Sequence, residues 1–578
     1  MRKLRINNWS FWLLGVLLAW LVPTSVRAGG IFLEHLQKNE VELFFKFEIV
    51  ADGNVYLARE GQVGQEWFGQ GSFTKNADNG GNCELYGNIK TIKITVFSNV
   101  YFYRAVTAVK LKDCEKLESF ELSNGKSSFS QIEISGCPLL ENLAFNDCGN
   151  GATLKATNSP KLKEWNNIFT SLELDNTGAA KVEGDNLQTV KLANCSQLTR
   201  VRGVSALNSL TATNCAALNT IEANALQTLA LDNCGMSTLT AMTSLTSLEV
   251  KNCTSLTRLE ARNCPQLPAI KVSGCASLTN LEATNCAALT EISVPNCGQA
   301  LTLKADKCPK LPKLEGLKSV QNLQVNSCAS LTKIDADACP KLASLEAKGC
   351  TKLENLYAKD CPLLTKIDVA NSGTEKFYIS AKNCPQLRNI ENISKLDLAN
   401  ITECASFEKV DTENATILKR LLFRNCPKLE KVNGKNALRE LEVENCSKFA
   451  TLEGMDALET LRLENSGSPA KLTLGRSLNW LIAENCAKLK EVTAKNASQL
   501  TKIELSNCSD VTLEASDCSK LSTLTLGEYS VKSLTVKNCA ALSTLNGGAK
   551  VQTLTVDRCP QLSTLSAGSA LESLTLSN

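Results

Sequence analysis

Leu278-Thr-Asn-Leu281-Glu-Ala283-Thr-Asn285-Cys286 decides the fold. With Leu278 as position 1, apolar residues stand at positions 1, 4, 6 and 9, and polar residues at 2, 3, 5 and 7. Positions 4 to 6 run apolar, polar, apolar, the period of a short strand with one buried face. The phrase recurs at Leu256–Cys264 and at Leu342–Cys350. Its closing cysteine keeps an 11-residue beat through Cys253, Cys264, Cys275, Cys286, Cys297 and Cys308, which resumes at Cys328, Cys339, Cys350 and Cys361. A fixed short period marks a solenoid whose repeats pack only on their neighbours. Strands this short need partners, and repetition supplies them as a parallel stack.

Position 8 carries the turn. Of the 25 cysteines after Cys83, 13 follow Asn, four follow Asp and three follow Gly. These residue types accept a left-handed backbone or bond their own main chain. Asn252, Asn263, Asn285 and Asn296 are the turn residues within the regular run. Pro follows eight of the cysteines, as at Pro265, Pro309 and Pro340, which suits a bend with φ near −65°. Six slots keep Asn and replace Cys by a small residue: Asn158-Ser159, Asn176-Thr177, Asn371-Ser372, Asn414-Ala415, Asn465-Ser466 and Asn496-Ala497. The turn therefore matters more than the sulfur.

Rungs of a parallel ladder lie about 4.8 Å apart, whereas a disulfide wants Cβ atoms about 3.5–4.5 Å apart and facing each other. The spacing is not that of a zinc motif, and the only histidine is His35. The expectation is a ladder of buried free thiols with no metal and no cofactor.

The string LxxLxLxxCxxL, as in Leu245-Thr-Ser-Leu248-Glu-Val250-Lys-Asn252-Cys253-Thr-Ser-Leu256, resembles a leucine-rich repeat with Cys in the usual Asn slot. Over about residues 89–578 the chain looks like exported leucine-rich-repeat proteins of the Bacteroidetes, the Porphyromonas type, which are similar to listerial internalins. Their two-strand phrase is matched by LTNLEATNCAALTEISVPN at Leu278–Asn296, and Val41–Leu57 resembles their N-terminal region. Helix-length segments of animal and plant relatives are absent. The expected fold is a helix-poor, right-handed parallel β-solenoid of 19–23 residues per coil, built from 11-residue half units. Cys253 and Cys308 are separated by five such units, so they are expected on opposite ladders, with a register shift before Cys328.

Three segments are expected. Residues 1–28 read as a signal peptide: Arg2, Lys3 and Arg5 precede the apolar run Phe11–Val22, and Val26-Arg27-Ala28 fits a cleavage site. Residues 29–88 read as a β-rich N-terminal cap, in which the alternation Val41, Leu43, Phe45, Phe47, Ile49 and then Asp52-Gly53 suggests a hairpin. Residues 89–578 form the solenoid. The last phrase, Leu571–Asn578, halts at a turn position, which implies an uncapped C-terminal edge.

Lys and Arg number 62 against 59 Asp and Glu, well mixed, so no basic stripe points to nucleic acid. No nucleophile elbow, phosphate loop or His-based metal motif is present, and an enzyme is not expected. The expectation is an exported, extracellular or cell-surface protein, with the periplasm as an alternative and no membrane span in the mature chain. It would bind a protein or surface macromolecule through its extended face, adhesion being what the resemblance implies. The alternative is a surface-layer or matrix protein that self-assembles through its C-terminal edge. Residues 170–356 hold no aromatic side chain, so the few solenoid aromatics are the candidate contacts. Tyr357 takes the outward centre of a strand, Tyr378 lies within an irregular 12-residue step after Ser372, and Trp480 takes a strand shoulder.

Overall fold

The computed structural model describes residues 88–98, 108–123 and 130–577, apart from 204, 241, 299, 411, 413, 414, 435, 436, 529, 566 and 567. It also gives the backbone of the strands Gly30–Glu34, Leu43–Ala51, Val55–Arg59, Glu66–Phe68, Gly71–Asn76 and Cys83–Tyr86. The expected signal peptide, His35, Asp52-Gly53 and Asn414 lie outside the described residues. No α-helix appears among the described residues, and so no helix is long and apolar enough to cross a membrane.

The chain divides into two compact units, one running through Glu260 with Val272–Ser277, the other comprising Ala261–Lys271 and Leu278 onward. In the first unit, Gly30–Glu34 lies antiparallel between Cys83–Tyr86 and Ala108–Lys112. From Ala108–Lys112 a parallel stack proceeds through Gln131–Ser135, Ala152–Ser159 and Phe169–Thr177 as far as Ser247–Lys251. On the other face, Ile89–Ser98 pairs antiparallel with Leu43–Ala51 and parallel with Ser119–Ser123. The antiparallel entry and the parallel solenoid thus share that strand.

The hairpin read from Val41–Leu57 is corrected. Leu43–Ala51 pairs with Gly71–Asn76 and Ile89–Ser98, while Val55–Arg59 pairs with Glu66–Phe68 and Cys83–Tyr86 in the other sheet. A strand has two edges, and long-range partners occupy both edges of Leu43–Ala51. Its neighbour in sequence therefore crosses to the other face.

In the second unit one face is a 13-stranded sheet from Lys313–Leu314 to Thr564–Leu565. The opposite face begins with Asn280–Glu282, Leu301–Lys304, Val320–Gln324 and Ser344–Glu346 and ends in a 6-stranded sheet, Lys471–Leu474 to Ser573–Ser577. Burial follows the repeat: Leu278, Leu281, Ala283 and Cys286 are fully buried, and Glu282 between them faces outward. Each buried Leu contributes about 1.5–3 kcal/mol of apolar burial, so a thin aliphatic core suffices when every coil repeats it.

Coil length varies more than the cysteine spacing indicates. Leu154 pairs with Leu172, a coil of 18 residues, because Ser159 and Thr177 close turns that no cysteine marks. The step from Cys308 to Cys328 has a simple cause as well. Both lie on one ladder with Cys264, Cys286 and Cys350, and the intervening opposite strand is clipped to Lys313–Leu314. Gly316, at φ +69°, turns that short strand without a cysteine slot. No change of face is involved.

Candidate functional site

Every residue that precedes one of the 25 described cysteines has φ between 50° and 68°. Asn252, Asn263, Asn285 and Asn296 are at 51°, 55°, 60° and 55°. The left-handed turn is therefore general. Lys307, Ser327, Ala338, Glu403 and Arg558 adopt it as well, against their own steric preference. Where Asn does stand there, its amide reaches the preceding coil: Asn285 Nδ2 donates to Asn263 Oδ1 at 2.9 Å, and Asn252 Nδ2 to Asp232 Oδ1 at 2.9 Å.

The described cysteines behind these turns form no disulfide, and Cys253, Cys264, Cys275, Cys286, Cys297, Cys308, Cys328, Cys339, Cys350 and Cys361 are all buried. Cys286, Cys308, Cys328, Cys350 and Cys361 donate to the carbonyls of Ala261, Ala283, Ala305, Val325 and Ala336, each the residue just past a strand, at 2.9–3.0 Å. Each thiol thus satisfies a carbonyl one coil back. Ser372 does the same to Ala347 at 2.6 Å and accepts the Cys350 N–H at 2.8 Å, which explains why Ser fits the slot. Burial pushes the Cys339 thiol up to about 12, so it stays protonated near neutrality. No group of three or more His, Cys, Asp or Glu is arranged to hold a metal among the described residues.

A second ladder escaped the sequence reading. Thr290 Oγ1 donates to Pro268 O at 3.0 Å, Thr332 to Pro312 O at 3.1 Å and Thr365 to Ala343 O at 3.0 Å. These are position-2 hydroxyls bonding the position-2 carbonyl of the coil before. The recurring Leu-Thr pair was the available signal.

The structure brings Tyr357 and Tyr378 together. Tyr357 is the centre of Asn355–Lys359, and Tyr378 pairs with Asn355 from the next strand, Phe377–Lys382. Their rings meet edge-to-face with centroids 6.0 Å apart. Lys333 Nζ sits 5.6 Å from the Tyr357 ring centroid, within cation–π range, and the Tyr357 hydroxyl donates to Asn355 Oδ1 at 3.2 Å. The irregular step has a local basis. Gly373 is at φ +102°, and a Cβ there would fall within 2.5–2.7 Å of the Phe377 side chain. Pairing with Leu396–Thr402 then slips between Phe377 and Tyr378, placing Leu398 beside Tyr378.

Trp480 opens the strand Trp480–Glu484 on the same 13-stranded sheet and is 52% exposed. It does not join the tyrosines. Pairing steps from Tyr378 through Leu398, Arg420, Glu440 and Thr460 to Trp480, five strands away. At about 4.8 Å a strand this is roughly 24 Å. The half-buried Leu398, Leu422 and Ile482 also face outward on this sheet; they stand at positions 3, 5 and 5 of their repeats and were missed because only aromatic side chains were weighed there.

The opposite face of the second unit is polar. Asp306 accepts the Asn326 N–H at 2.8 Å and a hydrogen bond from Gln324 Nε2 at 3.1 Å, and burial raises its pKa from the ordinary aspartate value. Burial also works against the charge of Asp368, but Asn392 at 2.9 Å and Lys348 at 3.2 Å outweigh it and hold that carboxyl low. Each carboxylate is thus held by polar partners of its own coil neighbours. At the end of that face's 6-stranded sheet, the strand Ser573–Ser577 exposes Leu574 and Leu576.

No protein-family profile matches the chain, and neither does any curated protein sequence. Among solved structures it is similar to the functional domain of InlJ from Listeria monocytogenes, which includes a cysteine ladder, at 17% identity over 55% of this chain, with a TM-score of 0.21. The match spans 64% of that domain, less than two thirds of its length. It is also similar to a leucine-rich-repeat protein from Bacteroides ovatus, at 14% identity over 59% of this chain and 82% of that one, TM-score 0.18. A leucine-rich cell surface protein from Faecalibacterium prausnitzii aligns at 12% identity over 62% and 90%, TM-score 0.17. The fold rests on the pairing and burial described above, not on these scores. The chain is a leucine-rich-repeat β-solenoid without helices among its described residues.

Proposed function

We propose that the protein is an exported, surface-exposed binding protein of internalin-like type, which engages a macromolecular partner through the outward face of its 13-stranded sheet. One observation carries this reading: Tyr357 and Tyr378 form an edge-to-face pair on a sheet face whose neighbouring strands add outward apolar residues. Interface hot spots favour such amphipathic rings on a rigid scaffold. Parallel pairing on both sides fixes their backbone, so little ordering cost falls on binding. The reading assigns no catalytic step and no cofactor.

The test has two parts. The secreted form is collected, its N-terminus determined, and its exposure on intact cells probed by protease. The protein is then screened against host-surface and matrix proteins. An aromatic anchor is worth about 2 kcal/mol or more, so Tyr357→Ala is expected to weaken a ligand found in this way roughly 30-fold. Unchanged affinity in Tyr357→Ala/Tyr378→Ala would move the site elsewhere. The aromatic-rich region before residue 104 would then be the next candidate.

A further inference from the structure

We propose that the partner of this sheet face is a second copy of the same chain, docked face to face about a two-fold axis parallel to the strands and lying between Arg420–Arg424 and Glu440–Glu444. The proposal rests on the reading of this face as the interaction surface and names what covers it.

Two features of the face point to it. The first is a separation of charge along the stack. The four strands Asn355–Lys359, Phe377–Lys382, Leu396–Thr402 and Arg420–Arg424 carry Lys or Arg at 359, 382, 420 and 424 against the single Asp397. The next four, Glu440–Glu444, Thr460–Glu464, Trp480–Glu484 and Lys502–Ser506, carry Glu at 440, 442, 444, 464, 484 and 504 against Arg462 and Lys502. One half of the face is basic and the other acidic, whereas the chain as a whole is mixed and nearly neutral.

The second feature is the register. A two-fold axis along the strands reverses the strand order but preserves position within each strand. It therefore sets Phe377–Lys382 opposite Trp480–Glu484 of the other copy. Tyr378 and Trp480 occupy the same pairing row, and so do Lys382 and Glu484. Each ring then meets a ring, and each Lys382 meets a Glu484, twice per dimer. At the axis, Arg424 meets Glu444, which it already contacts within its own chain at 3.0 Å, so four charges close a network. A C2 contact needs this kind of self-complementary patch. Lys382 makes only a long contact with Glu403, at 3.8 Å, and Glu484 makes no ion pair among the described residues. Both charges are therefore available for a contact outside the chain. Eight strands at about 4.8 Å by five residues at about 3.3 Å give roughly 600 Å² before corrugation, close to the ~800 Å² per partner of a standard interface.

Sedimentation velocity of the full mature chain over a range of concentrations tests the proposal. A monomer–dimer equilibrium that weakens with salt is expected. Lys382→Glu alone and Glu484→Lys alone are each expected to raise the dimer Kd roughly tenfold or more, and the double variant to bring it back toward the parent value. Trp480→Ala is expected to weaken it without salt dependence. Circular dichroism melts of each variant establish that it is folded, and restoration in the double variant excludes a folding defect as the cause. A protein that stays monomeric at every concentration overturns the proposal, as does a dimer indifferent to Lys382→Glu and Trp480→Ala. A monomer that binds a different macromolecule, weakened by Tyr357→Ala, overturns the homotypic contact and leaves the face as the binding surface. A ligand indifferent to both tyrosines overturns the face itself.

Discussion

Replacing Asn285 by valine tests the turn that defines every coil. Asn285 sits at φ 60°, and its amide bonds Asn263 at 2.9 Å. An L-residue in this conformation costs about 1–2 kcal/mol, and a β-branched one sits at the upper end. Losing an exposed side-chain hydrogen bond adds about 0.5 kcal/mol. The total is about 2–2.5 kcal/mol, felt locally because each repeat depends mainly on its neighbours. Global unfolding is a poor readout in a long repeat array, where two-state behaviour breaks down. The Cys286 thiol next to it is fully buried and bonded to Ala261 O, so its labelling rate under native conditions reports opening of that coil. Labelling of Cys286, followed by mass spectrometry, is expected to accelerate roughly 30- to 70-fold in Asn285→Val, at 1.4 kcal/mol per decade. Ala338→Gly, which relieves the same strain at φ 52°, is expected to slow labelling of Cys339 several-fold. Equal rates in Asn285→Val and the parent would refute the view that the left-handed turn, and not the sulfur, holds the coil.

Cys286→Ser is expected to cost under about 1 kcal/mol, because a hydroxyl can make the bond to Ala261 O as Ser372 does to Ala347 O; Cys286→Val, which overfills the slot and orphans that carbonyl, should cost about 1–3 kcal/mol, both read as amide hydrogen exchange in that coil. Alkaline pH should destabilise the ladder. Burial raises the Cys339 thiol from 9.0 to about 12, so its contribution is intact below about pH 9 and is lost as pH rises toward 12. At pH 10 the loss is about 1.4 kcal/mol for that rung, and Cys339→Ser should reduce the gain in local opening of that coil between pH 8 and 11, read as amide exchange against the parent at the same pH. Thr290→Val removes the bond to Pro268 O and should speed exchange of amides in that coil about two- to fivefold, an effect of about 0.5–1 kcal/mol.

The fold was legible because its period is short and its chemistry local. A strand of three residues, an Asn turn and a buried small residue follow from one nonapeptide, and the burial of Leu281, Ala283 and Cys286 matches it residue by residue. Non-local pairing was less legible. The alternation at Leu43–Ala51 does specify a strand, but alternation carries no information about which strand lies on either edge, and the partner is Ile89–Ser98. The turns at Lys307, Ser327, Ala338, Glu403 and Arg558 were hidden for the opposite reason: the stack imposes a conformation that these residues do not themselves favour. Tyr357 stood out because it occupied a slot that its repeats fill with charge. Leu398 did not, although it too occupies an outward slot, position 3 counted from Cys404, because an aliphatic residue beside the buried Leu396 and Ala399 does not stand out as a contact.

Rows on a solenoid face are created by coil length. Lys382 and Glu484 are 102 positions apart, and nothing in their local sequence relates them. They share a row because the intervening coils contribute 20, 22, 20, 20 and 20 residues between paired positions. A single residue added to a turn would be absorbed there and leave the row intact. Added inside a strand, it would turn every outward side chain of that strand inward. Selection on such a face can therefore change charge and aromatic content strand by strand while the turns hold the register. This accounts for a face with a basic half that carries Tyr357 and Tyr378 and an acidic half that carries Trp480, built on a core that stays apolar from coil to coil.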